Sequence, residues 1–190
     1  MPNLFIISDT HFCHFNIIRY TGRNFSTYEE MNEYMIEKWN SVVNKEDIVL
    51  HAGDFGFGRT ATLNRLIDIR ARLNGAINLF RGSHDRIHSR RQWLEFIKID
   101  KYIEKHLECV EIGKKIIIVY LKDESCLNLQ IDDWQNKEII YVSHRPIKDQ
   151  KAGPYYYGHI HEKVLPEHFG TNVCVEQKHI DYIPMKIGEF

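Results

Sequence analysis

The sequence predicts an α/β protein built from two packed sheets with helices outside, and two observations lead there. Through the first half of the chain, short apolar runs of strand length alternate with segments of helical periodicity. In the second half strand-like runs follow one another with little between them. Alternation builds mainly parallel sheets with covering helices, and successive strands add a second sheet.

Leu4 to Ser8 is an apolar run that reads as a buried strand, with Asp9 just past its end. A helix is expected from about Ser26 to Val43, because Ser26-x-x-Glu29 forms a capping box and Tyr28, Met31, Met35, Trp39 and Val42 recur at helical spacing. Asp47 to His51 is a second buried strand that delivers Gly53-Asp54. Thr60 to Leu73 has helical character, and Ala76 to Arg81 is a third strand leading into Gly82-Ser83-His84-Asp85. A further helix is expected over Ser89 to Ile97. Leu107 to Ile112 and Ile116 to Leu121 read as a β-hairpin around Gly113-Lys114-Lys115. Lys122 to Lys137 is polar and loop-like. Glu138 to Ser143 is a strand ending at His144, and Tyr155 to Gly158, Asn172 to Glu176 and Tyr182 to Ile187 complete a strand-rich second half.

The 190 residues suffice for one domain, 1–190, with a sizeable core, and 43% hydrophobic with 27% charged residues is ordinary for a soluble globular chain. A net charge of −1 offers no basic footprint, which excludes avid non-specific nucleic-acid binding. Cys13, Cys109, Cys126 and Cys174 show no paired spacing, so no disulfide framework is expected. Neither a signal peptide nor a membrane span is visible, and a cytoplasmic location with no membrane partner is expected.

Eleven histidines is a high count, and several fall in short motifs together with carboxylates. Asp9-x-His11, Gly53-Asp54, Ser143-His144-Arg145-Pro146 and Gly158-His159-x-His161 each follow a separate strand-like run. In extended backbone, residues i and i+2 project to one side, so Asp9 and His11 would grip one ion from a strand end. His159 and His161 would do likewise or divide between two ions. Asp54, after a strand and a glycine, is placed to approach two cations at once. Carboxylates and imidazoles gathered in this way suit a pair of divalent cations.

At these residues the chain resembles the calcineurin-like metallophosphoesterases, whose signature is Asp-x-His, Gly-Asp, Gly-Asn-His-Asp/Glu, a lone His and Gly-His-x-His. The likeness spans Ile7 to His161 and is complete except at Ser83. Ser8-Asp9-Thr10-His11-Phe12-x-His14-x-Asn16-Ile17 is similar, more narrowly, to a small single-domain bacterial and phage-type branch. The resemblance implies a four-layer αββα sandwich, two mixed β-sheets flanked by helices. It further implies a first metal on Asp9, His11 and His161, a second on His144 and His159, and Asp54 bridging both. His84 would donate a proton or stabilise phosphoryl oxygens, with Asp85 orienting its ring. Where the family has Asn, the shorter Ser83 predicts a weakened second metal site.

The implied activity is metal-dependent hydrolysis of a small phosphoester, such as a nucleotide, by metal-activated water, with two divalent ions (Mn, Fe, Zn or Ni) as cofactors. The alternatives are a catalytically weakened fold serving as a binding module, and a nuclease. His14 and Asn16 would contact substrate or serve structure. Arg19, Arg23, Arg86 and Arg145 are candidates for gripping phosphate oxygens, with Arg145 best placed beside His144. His51 either supports the site or is a core histidine. One of Tyr155, Tyr156 and Tyr157 would line a base pocket or pack in the core. Gly53 to Gly58 lacks the Gly-Lys-Ser/Thr ending of a P-loop and reads as a flexible strand-to-helix connection.

Overall fold

The structure, a computed structural model, describes residues 2–105, 109–113, 116–121, 137–147 and 153–189. The loop-like stretch 122–136, the two hairpin lysines and Cys126 lie outside these residues.

The first sheet contains β1 (Asn3–Ile7), β2 (Ile48–His51), β3 (Ala76–Phe80), β4 (Lys101–Ile103) and β10 (Met185–Glu189), in the order β10-β1-β2-β3-β4. β1 to β4 pair in parallel, and β10 is antiparallel to β1. Parallel strands are covered on both faces and so read as unbroken apolar runs; Leu4 to Ile7 are all at most 4% exposed. The second sheet contains β5 (Cys109–Ile112), β6 (Ile116–Tyr120), β7 (Glu138–Ser143), β8 (Tyr155–Tyr157) and β9 (Thr171–Asn172), in chain order. β5 and β6 form the expected antiparallel pair, while β6 to β9 run parallel.

The two sheets share one core. Val110, Ile112, Ile116, Ile118, Tyr120, Ile140 and Val142 of the second sheet join the cluster formed by β1 to β3 and the helices. The intervening residues Ile117, Val119 and Tyr141 point to the other face, where they pack with Tyr155, Tyr157, Ile147, Ile160, Leu165 and Phe169. This is the period-two alternation of a sheet buried on both sides. Tyr155 and Tyr157 are thus core residues, and Tyr156 packs from the other face.

Helices α1 (Phe15–Tyr20), α2 (Tyr28–Val42) and α3 (Leu63–Arg72) all connect strands of the first sheet. α2 buries Met31, Met35 and Trp39, as its periodicity demands, but its cap differs from the expected one by a residue. Thr27 Oγ1 accepts from Glu30 N, and Glu30 Oε2 in turn accepts from Ser26 N. The helix expected over Ser89 to Ile97 forms over 90–96: Trp93 N donates to Ser89 O at 3.1 Å, and the rest, Gln92–Phe96, widens into a turn closed by Ile97 N donating to Gln92 O at 2.9 Å. That turn buries Trp93 completely, and its Nε1 donates to Asp85 O at 2.9 Å. α1 and β4 were not anticipated from the sequence; both are too short to show a period.

Among the described residues, no helix is long and apolar enough to cross a membrane. Cys13 and Cys174 are buried free thiols.

Candidate metal centre

Every ligand-type motif leaves the carboxyl end of a parallel strand. Asp9 and His11 follow β1, Asp54 follows β2, and Ser83 to Asp85 follow β3; His144 follows β7, and His159 and His161 follow β8. Chain reversals at that edge leave backbone and side chains free to converge, which is where open α/β sheets place their sites. The sheets are tied together there by Ser8 N donating to Val173 O (2.8 Å) and Val175 N donating to Ser8 O (3.2 Å).

The residues divide into two groups whose ligand atoms lie close enough to share an ion: Asp9, His11 and His161, and Asp54, His144 and His159. Adjacent histidines in Gly-His-x-His therefore serve different groups. The expected extended geometry is also corrected. Asp9, His11, Asp54, His159 and His161 all have left-handed backbone, with φ of 56°, 50°, 58°, 73° and 51°. Such conformations cost energy in non-glycine residues and persist only where tertiary contacts impose them.

Those contacts are visible. Asp9 N donates to Gly53 O at 3.0 Å and His11 N to Asp54 O at 3.0 Å, while His159 N donates to Asp9 Oδ2 at 2.8 Å. The motif glycines permit this proximity. A Cβ on Gly82 would overlap Asp54 N and Oδ1, and one on Gly158 would overlap Ser8 Oγ and Asp9 Oδ2. The Gly53 to Gly58 connection is not loose: Gly53 to Gly56 are buried, and Gly56 bridges to Phe12.

Asp9 uses one oxygen for structure and leaves the other free. Oδ2 accepts from Ser8 Oγ (2.5 Å) and His159 N, whereas buried Oδ1 has no partner and lies 3.8 Å from His11 Nε2 and 4.0 Å from His161 Nε2. Asp54 Oδ1 accepts from His84 N (2.7 Å), and Oδ2 sits 3.3 Å from His144 Nε2 and 3.7 Å from His11 Nε2. That oxygen stands between the two groups. His144 Nδ1 faces the carbonyl of Ala52 at 3.0 Å, so it carries the proton and leaves Nε2 as the ligand atom.

A buried oxygen and nitrogen without hydrogen bonds, Asp9 Oδ1 and His11 Nε2, are costly unless a cation occupies the space between them. The donor set of carboxylates and imidazoles fits first-row divalent ions. Electrostatics agree. Burial pushes the Asp9 carboxyl up, but the imidazoles of His11, His144 and His161 hold it well below the usual carboxylate range. Burial works against charge on His144, yet Asp54 raises its pKa to about 9. Burial beside His144 lowers His159 to about 4. The carboxylates thus draw positive charge into the centre.

Asp85 does not orient the His84 ring. It is fully buried, and its oxygens accept from Gly82 N (2.7 Å), Asp54 N (2.8 Å) and Phe55 N (3.0 Å). Its task is to hold the β2 and β3 loops together. Burial and then the charge of Asp54 push its pKa up to about 7. The His84 ring instead lies against Phe57, with centroids 3.9 Å apart, and its Nε2 is 4.0 Å from Asp54 Oδ2. Ser83 Oγ accepts from Arg145 Nη2 at 3.3 Å.

Arg145 and Arg86 are exposed beside Ser83, as required of residues that would meet substrate. His14 is 8% exposed, with its ring 5.4 Å from His11 and 4.9 Å from Phe57; it lines a cavity with Asn16, Tyr20, His84 and His161. Arg19 is exposed. His51 is fully buried, 3.0 Å from Thr10 Oγ1, and burial lowers its pKa to about 3. The Thr10 hydroxyl donates to Phe55 O, so His51 Nε2 is the donor to Thr10.

Arg23 is not available to substrate. Its fully buried guanidinium donates to Asp9 O (2.7 Å), Thr10 O (2.8 Å) and Glu176 Oε1 (2.6 Å). Glu176 was not singled out from the sequence. Its Oε1 lies 3.0 Å from His161 Nδ1 and therefore sets the tautomer that exposes Nε2. The available signal was a lone carboxylate ending the apolar run Val173-Cys174-Val175, the same pattern that marks Asp9.

An uncharacterized protein of Methanocaldococcus jannaschii is 31% identical over 189 residues, covering 98% of this chain and 88% of that protein. A solved structure of a protein of unknown function from Aquifex aeolicus superimposes with a TM-score of 0.63 at 20% identity, covering 98% of this chain and 96% of that one, which shows a shared fold. The profile of the calcineurin-like phosphoesterase superfamily domain matches residues 3–175, and the chain belongs to that superfamily.

Proposed function

We propose that the protein is a metal-dependent phosphoester hydrolase acting on small phosphoesters such as nucleotides through a dinuclear centre. The observation that carries this reading is Asp54 Oδ2, which lies between two groups of ligand atoms while Asp9 Oδ1 and His11 Nε2 stay buried without partners.

Asp9, His11 and His161 would hold one cation, His144 and His159 the other, and Asp54 both. Cations so held supply an activated water near neutral pH and neutralise charge on the phosphoryl oxygens. The remaining work falls to side chains. His84, 39% exposed at its ring and braced by Phe57, stands over Asp54, where it can hydrogen-bond a phosphoryl oxygen or give a proton to the leaving oxygen. Arg145 lies at the rim, where its guanidinium fork suits the non-reacting oxygens. Glu176 and Arg23 keep His161 and the Asp9 loop in place.

The test is Mn²⁺-dependent release of nitrophenol from p-nitrophenyl phosphate and its bis ester, with Asp54→Ala and His84→Ala as controls. Both variants are expected to lose activity. Absence of metal-dependent release from either ester by the wild-type protein would refute the proposal and favour the binding module. Release of nucleotides from single-stranded or duplex DNA would favour the nuclease.

A further inference from the structure

Beside the second ligand group lies a cavity of about 370 Å³ whose Arg81 and Arg86 are not used by the centre itself. Its wall is formed by Arg81, Ser83, Arg86, Glu104, His144 and Arg145. Three guanidinium groups thus face one carboxylate. Glu104 is already engaged, 3.1 Å from Arg81 Nη1 and 3.6 Å from Arg90 Nη1. Arg86 and Arg145 enter no ion pair among the described residues, and Arg145 is steered to the wall by Ser83 Oγ. Guanidinium groups stay charged at any working pH, so the cavity has an uncompensated positive field.

The cavity shares His144 with the ligand group containing Asp54 and His159, so a molecule with its reacting phosphate at the centre reaches the cavity directly. Its volume is at the small end of ligand-sized pockets, roughly 300–1,000 Å³. Fixed forks of N–H donors match phosphate oxygens in pairs.

We propose that this cavity is an anion subsite for a second phosphoryl group, so that the substrate class is a small phosphoester carrying two phosphates. The assignment rests on the phosphoesterase reading for its substrate, but the subsite can be tested without catalysis. Ser83 belongs to it as the residue that holds Arg145 in place.

The full-length protein, freed of metal by a chelator, is titrated calorimetrically with inorganic pyrophosphate at low salt. Wild type is expected to bind, Arg86→Gln and Arg81→Gln to bind about tenfold more weakly, and Arg86→Lys to recover part of the loss. No binding by wild type, or equal affinity in all four proteins, overturns the subsite. With Mn²⁺ restored, KM for adenosine 3′,5′-bisphosphate is expected to lie about tenfold below that for adenosine 5′-monophosphate, with the gap narrowing in both Gln variants. Turnover of both nucleotides with equal KM also overturns the subsite while leaving the phosphoesterase reading intact. If neither nucleotide nor any nitrophenyl ester is hydrolysed, the phosphoesterase reading fails, and the pyrophosphate titration alone decides the subsite.

Discussion

Replacing Arg23 with methionine should damage the protein more than any surface substitution. The guanidinium is fully buried, and its partner Glu176 has a side chain 5% exposed. Methionine fills similar volume but supplies no donor. Glu176 would then be a buried carboxylate with only His161 Nδ1 beside it, and the carbonyls of Asp9 and Thr10 would lose bonds of 2.7 and 2.8 Å. Breaking a buried ion pair on one side costs about 3–5 kcal/mol, and each orphaned carbonyl adds about 1–3 kcal/mol. Relaxation will recover some of this, so about 4–6 kcal/mol is expected. That is a large share of the roughly 5–15 kcal/mol that holds a typical domain together.

The assay is urea unfolding followed by circular dichroism, without metal. Arg23→Met/Glu176→Gln should be more stable than Arg23→Met alone, because the orphaned charge is gone. A pH series gives an independent check. In the wild type burial pushes Glu176 up, but Arg23 and His161 hold it below the usual range. Without Arg23 its folded pKa rises above the unfolded one, so the variant should close part of its deficit relative to wild type as pH is lowered towards the carboxylate range. A loss below about 1 kcal/mol, or a double variant no more stable than the single, would refute the reasoning.

Further perturbations address the centre directly. Mn²⁺ at a hundred times its Kd should stabilise the fold by about 2.7 kcal/mol per site, a Tm rise of roughly 5–10 °C that a chelator reverses; an unmoved Tm would argue against a built site. Gly82→Ala should displace Asp54, since the added carbon overlaps its N and Oδ1, and cost about 1–3 kcal/mol together with bound metal measured by elemental analysis. Ser83→Asn should raise occupancy of the group containing His144 and free Arg145 from its bond; two tightly held metal equivalents both before and after the change would contradict this. His51 titrates near 3 in the folded protein against 6.5 unfolded, because burial disfavours its charge. Stability present above pH 6.5 should therefore fall as pH drops towards 3, by about 1.4 kcal/mol per unit from this group, and His51→Gln should show a slope shallower by one proton.

Most of the strands and the order of the candidate metal-ligating residues were readable because both are local signals. An apolar run such as Leu4 to Ile7 marks a strand covered on both faces, and a polar residue at its end marks the edge where ligands gather. The stripe of α2 was readable for the same reason, while its cap slipped from Ser26 to Thr27 because two adjacent hydroxyl residues precede two adjacent glutamates. Elements as brief as α1 and β4 carry no period and escaped notice.

What the local pattern could not convey is which side chains meet. His159 and His161 go to different groups because left-handed backbone turns them apart, a conformation held by contacts such as His159 N to Asp9 Oδ2 across 150 residues. Arg23 read as a candidate for gripping phosphate oxygens until the fold brought Glu176, 153 residues away, against it. Asp85 looked like a partner for His84 until three backbone N–H groups claimed its oxygens. Residue type and spacing along the chain name the chemistry that is available, but burial and long-range hydrogen bonds decide which groups face a cation, which face substrate and which hold the loops in place.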